Sequence, residues 1–123
     1  MAYRDDSKYY FQSDSARLKE IFQDQAPKFL DGCLSEAGWK RGDIDCVVSH
    51  QISSTTTDQI ARCIGIPAFK FVNTFAKYGN TAAATIPLAL HEAIEIGKLK
   101  KGDRLMLLGL GAGVSLSVQL VEW

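Results

Sequence analysis

Residues 44–49 read Ile44-Asp45-Cys46-Val47-Val48-Ser49, a short, mostly apolar segment that is rich in β-branched side chains. A continuous apolar run of this length predicts a strand buried on both faces, which is typical of parallel sheets covered by helices. His50 follows at once, and the chain becomes polar there. We therefore predict a buried parallel strand that carries a histidine at its carboxyl end.

A long helix is predicted before this strand. Apolar side chains recur at helical spacing up to about Ala37, and Ser13 or Ser15 is in position to cap the first turn. Gly38 suits the residue that ends the helix, because glycine readily adopts the left-handed conformation. Pro27 should break or kink the helix, since proline lacks the amide donor.

Helices and strands continue to alternate after residue 49. The pattern predicts a helix over residues 55–64 capped by Ser53 or Ser54, a strand over 69–73, and an apolar helix from Asn80 or Thr81 to Ile96. Pro87 lies inside this last helix, where it should cost about 3 kcal/mol that packing has to offset.

The C-terminal region predicts two strands, Arg104 to Leu110 and Val114 to Val121, joined by Gly111-Ala112-Gly113. A connection this short permits only antiparallel pairing. The order of elements predicts a single α/β domain over residues 1–123, opened by a polar lead at 1–14 with a short strand at Tyr9-Tyr10-Phe11. We expect a layered, mostly parallel sheet with an antiparallel C-terminal strand pair and a buried helix.

The composition restricts the classes of function. Of the 123 residues, 46% are apolar, and fourteen basic side chains balance fourteen acidic ones. Nucleic-acid binding, which needs a basic surface, is therefore disfavoured. The sequence has neither an apolar run of membrane-spanning length nor the features of a secretory signal, so a cytoplasmic location is predicted. The cysteines Cys33, Cys46 and Cys63 indicate reduced thiols rather than disulfides or a zinc site.

Three polar features should meet at one rim of the sheet, because loops that leave the carboxyl ends of parallel strands gather there. They are His50, Asn80 and the turn Gly111-Ala112-Gly113. An imidazole, a side-chain amide and exposed backbone N–H groups are the donors that stabilise an oxyanion. Each also has a plainer interpretation, as a strand-end histidine bonded to a carbonyl, a helix cap and a hairpin turn.

Other polar residues fit structural roles better. His91 is expected on the surface of the last helix, and the hydroxyl cluster from Ser53 to Thr57 is expected to supply helix-cap bonds. A serine nucleophile in that cluster would lack an acidic partner.

Longer motifs occur in order along the chain. They are Asp43-Ile44-Asp45 before Ser49-His50-Gln51, Phe71-Val72-Asn73 before Tyr78-Gly79-Asn80-Thr81, the segment 83–90, the segment 97–103, and Gly109-Leu110-Gly111-Ala112-Gly113. On these motifs, residues 43–123 resemble the C-terminal part of β-ketoacyl-acyl carrier protein synthase III, in the thiolase superfamily.

The resemblance implies a Cys-His-Asn triad in which His50 and Asn80 are the second and third members. The backbone N–H near Ala112, between Gly111 and Gly113, would contribute to an oxyanion hole. In the implied reaction a cysteine takes an acyl group from acyl-CoA, malonyl-acyl carrier protein loses carbon dioxide, and the carbanion attacks the acyl-cysteine. Acyl-CoA and malonyl-acyl carrier protein are the implied substrates, acyl carrier protein is the implied partner, and no cofactor or metal is implied.

The family's nucleophile lies in an N-terminal half, whose sequence context Cys33, Cys46 and Cys63 lack. The chain is therefore expected to be a fragment or one subunit of a split enzyme, and a first strand, central to the sheet, is expected before residue 1. The segment Ile52-Ser53-Ser54 and Val114 depart from the fatty-acid initiators. These departures leave the acyl acceptor, and a fatty-acid or polyketide-type pathway, open.

Three functions stay open: the catalytic part of an acyltransferase, a non-catalytic module that binds an acyl carrier or a partner half, and a purely structural half. The isolated chain is expected to lack condensing activity. It is also expected to form a homo-oligomer, because Ala82, Ala83, Ile86 and Leu90 would leave an apolar patch without the missing half.

Overall fold

A computed structural model describes residues 14–111 and 113–123. The predicted strand at Tyr9-Tyr10-Phe11 lies outside the described residues. The helices are α1 (Ser15–Ala37), α2 (Thr56–Ile64), α3 (Phe75–Tyr78) and α4 (Thr85–Glu95), and the strands are β1 (Cys46–Ser49), β2 (Arg104–Gly111) and β3 (Ser115–Glu122). Short 3-10 turns occupy Arg41–Asp43, Ala68–Lys70 and Ala82–Ala84.

Helix α1 covers the predicted range and begins at a different cap. The Asp14 carboxylate accepts a hydrogen bond from the backbone N–H of Arg17, so neither Ser13 nor Ser15 is the N-cap residue. Gly38 adopts the left-handed conformation at φ 68° and ends the helix, which confirms the prediction.

Pro27 does not break α1, which is assigned as one continuous helix. Proline cannot donate to the carbonyl four residues earlier, and this leaves the Gln23 carbonyl without its helical partner. The Cys63 thiol of α2 donates to that carbonyl at 3.9 Å. A neighbouring helix therefore supplies the contact that the proline removes.

The sheet has the order β1-β2-β3, with β1 parallel to β2 and β2 antiparallel to β3. Strands β1 and β2 are hydrogen-bonded directly, without a strand between them in the described residues. The expectation of a further strand before residue 1 stays a prediction. Within residues 14–111 and 113–123, β3 is bonded on one side only, to β2.

The prediction of a strand over residues 69–73 is wrong. Only Phe71 pairs with the sheet, as an isolated parallel bridge to Val47, and residues 68–70 form a 3-10 turn. The turn begins after Pro67, and the Lys70 ammonium bonds the carbonyls of Gly42 and Ile44. The backbone N–H groups of Lys70 and Phe71 bond the carbonyls of Pro67 and Ala68 within this turn, so they do not pair with β1.

Apolar clusters cover both faces of the sheet, which confirms the layered α/β class. On one face α1 and α2 pack on β1 and β2, and on the other face α4 packs on the same two strands. The fully buried side chains of β1 alternate between the two clusters, with Val47 in the first and Cys46 and Val48 in the second.

Helix α4 starts at Thr85, later than the predicted Asn80 or Thr81. Pro87 therefore lies in the first helical turn, where backbone N–H groups have no partner within the helix, and the predicted internal cost does not apply. The helix buries Thr85, Ala89 and Ala93, whereas Ile94 is 42% exposed. Its burial is thus one-sided rather than complete.

The expected apolar patch is only partly formed: Ala82 and Ala83 are exposed, whereas Ile86 and Leu90 are half-buried. Of the cysteines, Cys46 is buried, Cys33 and Cys63 are half-buried, and all three are free thiols. Among the helices described, none combines the length and the apolar character needed to cross a membrane.

The structure yields a prediction about Ser49, which is fully buried at the end of β1. Its hydroxyl has no hydrogen-bond partner among the described residues. Because a buried hydroxyl without a partner is destabilising, Ser49→Ala should raise the free energy of unfolding by about 1 kcal/mol in urea denaturation. Ser117→Ala, at an exposed position of β3, is the control and should change it by less than about 0.5 kcal/mol. A marked loss of stability in Ser49→Ala would contradict the prediction.

Candidate active site

His50 extends the parallel ladder one residue past β1, because its backbone N–H donates to the Leu108 carbonyl at 3.1 Å. The side chain is half-buried and lines a cleft. No hydrogen-bond partner of the imidazole is present in the described part of the chain, so the structure does not support a histidine tied to a backbone carbonyl. The backbone is thus fixed by the sheet while the ring faces the cleft.

Asn80 follows Gly79, whose φ of 68° and ψ of −156° are accessible only to glycine. The Asn80 side-chain Oδ1 accepts a hydrogen bond from the backbone N–H of Ala82 at 2.9 Å. The bond closes an Asx turn over two residues, and the N-cap of the following 3-10 turn is Thr81, so Asn80 does not cap a helix as the plainer interpretation expected. Because the oxygen is engaged by the backbone, the Nδ2 group is left as the donor of this amide.

His50, Asn80 and Gly111 line one cleft with a volume of about 690 Å³. The carboxyl end of β1, the Gly79–Asn80 turn and the β2–β3 connection therefore meet, as the topology predicted. Gly113, at φ 73°, lies in that connection without lining the cleft, and Ala112 lies outside the described residues.

Apolar side chains form most of the remaining wall. They come from α1, the loop after β1, α2, the end of β2 and the start of β3, and include Leu18, Phe22, Ile52, Ile60, Leu110 and Leu116. Val114 also lines the cleft and has φ 59°, a conformation that β-branched residues rarely adopt. An apolar wall around a few polar groups is typical of small-molecule sites.

Three sets of contacts hold the loop that leads to Asn80, and the sequence patterns did not indicate any of them. The Asn73 Nδ2 group donates to Thr57 Oγ1 of α2 at 3.0 Å and to the Ser54 carbonyl at 3.4 Å. Gln51 bonds the backbone of residues 72–75, as described below. The Glu92 carboxylate of α4 accepts hydrogen bonds from Lys77 at 2.9 Å and from the Tyr78 hydroxyl at 3.3 Å. The Tyr78 hydroxyl and the Glu92 carboxylate raise the pKa of Lys77, and Lys77 lowers the pKa of Glu92.

The other polar residues have structural positions. His91 is exposed on α4, as predicted. The predicted helix cap at Ser53 or Ser54 is wrong, because the N-cap of α2 is Thr55, which makes no side-chain cap bond. Thr56 Oγ1 instead accepts hydrogen bonds from the N–H groups of Ile52 and Ser53, at 3.2 and 2.9 Å.

No thiol in this chain has the character of an activated nucleophile. Burial raises the pKa of Cys33 and Cys63, and it raises the pKa of Cys46 to about 11. Cys63 lines the cleft, but its thiol is protonated near neutral pH and donates to Gln23. Among residues 14–111 and 113–123, no group of His, Cys, Asp and Glu side chains could hold a metal ion.

Gly79 provides a test of how Asn80 is positioned. Gly79→Ala should lower the free energy of unfolding by about 1–3 kcal/mol, because an alanine cannot adopt this φ and ψ without strain. The control is Gly32→Ala, which lies in open space within α1 and should raise it by about 0.5–1 kcal/mol. A loss of stability in Gly79→Ala together with a gain in Gly32→Ala, measured by thermal or urea unfolding, would support the glycine-only conformation at residue 79. Equal effects of the two substitutions would contradict it.

Comparison with known proteins gives a consistent result. Residues 34–123 match the family model described as 3-oxoacyl-(acyl-carrier-protein) synthase III, C-terminal. A beta-ketoacyl-(acyl-carrier-protein) synthase III of Synechocystis sp. is 37% identical over 116 residues, which cover 92% of this chain and 35% of the relative. An acetoacetyl CoA synthase of Streptomyces sp. is 32% identical over 114 residues, which cover 93% of this chain and 35% of the relative.

Solved structures show the same fold. A crystal structure of 3-oxoacyl-(acyl-carrier-protein) synthase III from Aquifex aeolicus matches with a TM-score of 0.85 and 31% identity, over 96% of this chain and 38% of that one. The chain thus spans about a third of the length of the curated relatives it matches. On the agreement of sequence and fold, the chain belongs to the family of 3-oxoacyl-(acyl-carrier-protein) synthase III C-terminal domains.

Proposed function

We propose that this chain is the C-terminal catalytic part of a condensing acyltransferase, in which His50 and Asn80 act with a cysteine supplied from outside these 123 residues. The reaction is the decarboxylative Claisen condensation of malonyl-acyl carrier protein with an acyl group from acyl-CoA. The observation that supports it most directly is the convergence of His50, Asn80 and Gly111 on one largely apolar cleft. The activities named for the relatives in the same family agree with it.

The donors of the cleft suit decarboxylation. When the malonyl thioester loses carbon dioxide, the electron pair of the broken bond moves onto the thioester oxygen and forms an enolate. An N–H of the His50 ring and the Asn80 Nδ2 would donate to that oxygen, and the apolar wall would strengthen both hydrogen bonds. The bond from Asn80 Oδ1 to the Ala82 N–H keeps the amide in the orientation that this role requires.

The new carbon–carbon bond forms when the enolate carbon attacks the acyl-cysteine carbonyl and the cysteine thiolate leaves. The backbone of Gly111, Ala112 and Gly113 would supply N–H groups to the oxyanion of this second step. Cys33, Cys46 and Cys63 are not the nucleophile in this proposal, since burial keeps their thiols protonated. The cysteine would lie in sequence corresponding to the other two-thirds of the relatives.

The proposed partners follow from the substrates. They are acyl carrier protein, which presents the malonyl group, acyl-CoA, and the segment that carries the cysteine. No cofactor takes part in the proposed steps. The cytoplasmic location and the choice between a fatty-acid and a polyketide-type pathway stay predictions.

A chimaera tests the catalytic roles. The N-terminal two-thirds of the Synechocystis relative, joined to this chain, should release carbon dioxide from malonyl-acyl carrier protein and form a ketoacyl product. His50→Ala or Asn80→Ala should lower the rate of decarboxylation by about 10²–10³. Acylation of the cysteine by acyl-CoA should be less affected, because it does not form the enolate.

His91→Ala is the matched control, because His91 is exposed on α4 and lies outside the cleft. It should leave both rates within about twofold. Carbon dioxide release that is unchanged in His50→Ala or Asn80→Ala would remove that residue from the proposed role. A folded chimaera that binds malonyl-acyl carrier protein without decarboxylating it would favour the non-catalytic binding module.

The isolated 123-residue chain should self-associate and show no condensing activity. Strand β3 has a partner on one side only within the described residues, and unpaired strands tend to recruit another chain. Ile52 and Ile96 add apolar surface, at 63% and 60% exposure. Sedimentation velocity in dilute buffer should show a dimer or larger species. A stable monomer would refute the association, and ketoacyl product from the chain alone would refute the inactivity.

A further inference from the structure

Gln51 is a fully buried polar side chain directly after His50. Its Nε2 donates to the Val72 carbonyl at 2.8 Å. Its Oε1 accepts from the backbone N–H groups of Thr74 and Phe75 at 2.9 and 3.1 Å. One side chain therefore satisfies three backbone groups of the segment that follows the Phe71 bridge.

These bonds replace the strand pairing that the segment lacks. Residue 71 makes the last bridge to β1, and the chain then leaves the sheet and passes through α3 to the Gly79–Asn80 turn. Beyond Val72, the backbone is held to the end of β1 by the Gln51 amide. Glu92 holds the later part of the loop to α4, not to β1.

The two triad candidates thus lie on either side of one buried amide. His50 is the residue before Gln51 and is fixed by its bond to the Leu108 carbonyl. Asn80 lies at the far end of the loop that begins at the Thr74 and Phe75 N–H groups. A displacement of this loop would change the separation of His50 and Asn80 without changing either side chain.

We propose that Gln51 is a positioning residue that sets the separation of His50 and Asn80 by bonding the start of the Asn80 loop to the end of β1. This inference rests on the proposed function for the roles of His50 and Asn80. The bonds themselves belong to the structure and can be tested separately. Misplacement of a catalytic group by about 1 Å is enough to lower a rate about 10²-fold.

Two substitutions separate the contribution of the amide oxygen from that of the amide NH₂ group. Gln51→Met has a similar volume and removes all three hydrogen bonds. Gln51→Glu keeps an acceptor for Thr74 and Phe75, and as a carboxylate it loses the donor to Val72. Gln119→Met, at an exposed position of β3, is the matched control.

The kinetic test uses the chimaera described above. Gln51→Met should lower kcat for malonyl decarboxylation by about 10–100-fold, with KM within about threefold and cysteine acylation within about threefold. Gln51→Glu should give an intermediate loss, and Gln119→Met should give none. Equal losses in acylation and decarboxylation would show general damage to the fold and overturn the proposal, as would full activity in Gln51→Met. If Gln51→Met does not fold, Gln51→Glu alone tests the proposal, by whether decarboxylation falls more than cysteine acylation.

Amide hydrogen exchange and NMR of the 123-residue chain give a readout that does not need activity. Both Gln51 variants should shift the Asn80 side-chain amide resonance, and Gln51→Met should also speed exchange at Thr74. Exchange at Phe75 should change less, because its N–H keeps Asn73 Oδ1 as a second acceptor at 3.1 Å. Unchanged exchange and an unchanged Asn80 resonance would overturn the positioning claim. An unmodified chimaera that folds but does not decarboxylate would refute the proposed function, and the NMR result would still decide whether Gln51 holds the loop.

Discussion

The direct parallel pairing of β1 with β2 is the constraint on which the rest of the structure depends. Cys46 to Ser49 lie opposite Leu105 to Leu108, and all four side chains of β1 are buried. A strand with two buried faces must be covered on both sides, so α1 and α2 pack on one face and α4 on the other. The same pairing fixes where the strand ends, and therefore where His50 leaves the sheet.

The candidate site depends on which polar groups of His50 and Asn80 are bonded to the backbone at the carboxyl end of β1. His50 is fixed through its backbone, so its ring is free to face the cleft. Asn80 is fixed through its side-chain oxygen, so its NH₂ group is the part left to donate. In each residue, therefore, one polar group is bonded to the backbone and another is left to bind a ligand. For this reason the structural and the functional interpretations of these residues are compatible.

Local patterns predicted the elements whose stability is local. The glycine end of α1 at Gly38 and the short antiparallel connection after β2 were predicted correctly, because each depends on neighbouring residues in the chain. Strand β1 was predicted correctly from its apolar side chains, although the β2 strand that pairs with it is distant in sequence. The strand expected at residues 69–73 was wrong, because the backbone N–H groups of Lys70 and Phe71 bond within a 3-10 turn that follows Pro67, and only Val72 donates to β1. The apolar pattern of this segment does not distinguish such a turn from a strand.

The two prolines show the same limit. The Gln23 carbonyl that Pro27 leaves without a helical partner is contacted by the Cys63 thiol of another helix, and the effect of Pro87 depends on where α4 begins. For the site, position after a strand was enough to identify His50, which follows β1. Asn80 was identified in the same way although the strand expected before it is not formed, and the turn at Gly79 is what the structure shows there. Gln51 and Glu92 could not be assigned roles in the same way, because their partners become neighbours only in the folded chain.

Val114 carries a consequence for how this chain could be stabilised. A β-branched residue at φ 59° holds the tip of the β2–β3 hairpin in a conformation that glycine or asparagine would adopt at lower energy. The native residue therefore keeps a valine side chain on the cleft wall at the expense of stability. Selection for heat resistance alone would be expected to replace Val114. Selection for the shape of the cleft would retain it, so stability and cleft shape favour different residues at this position.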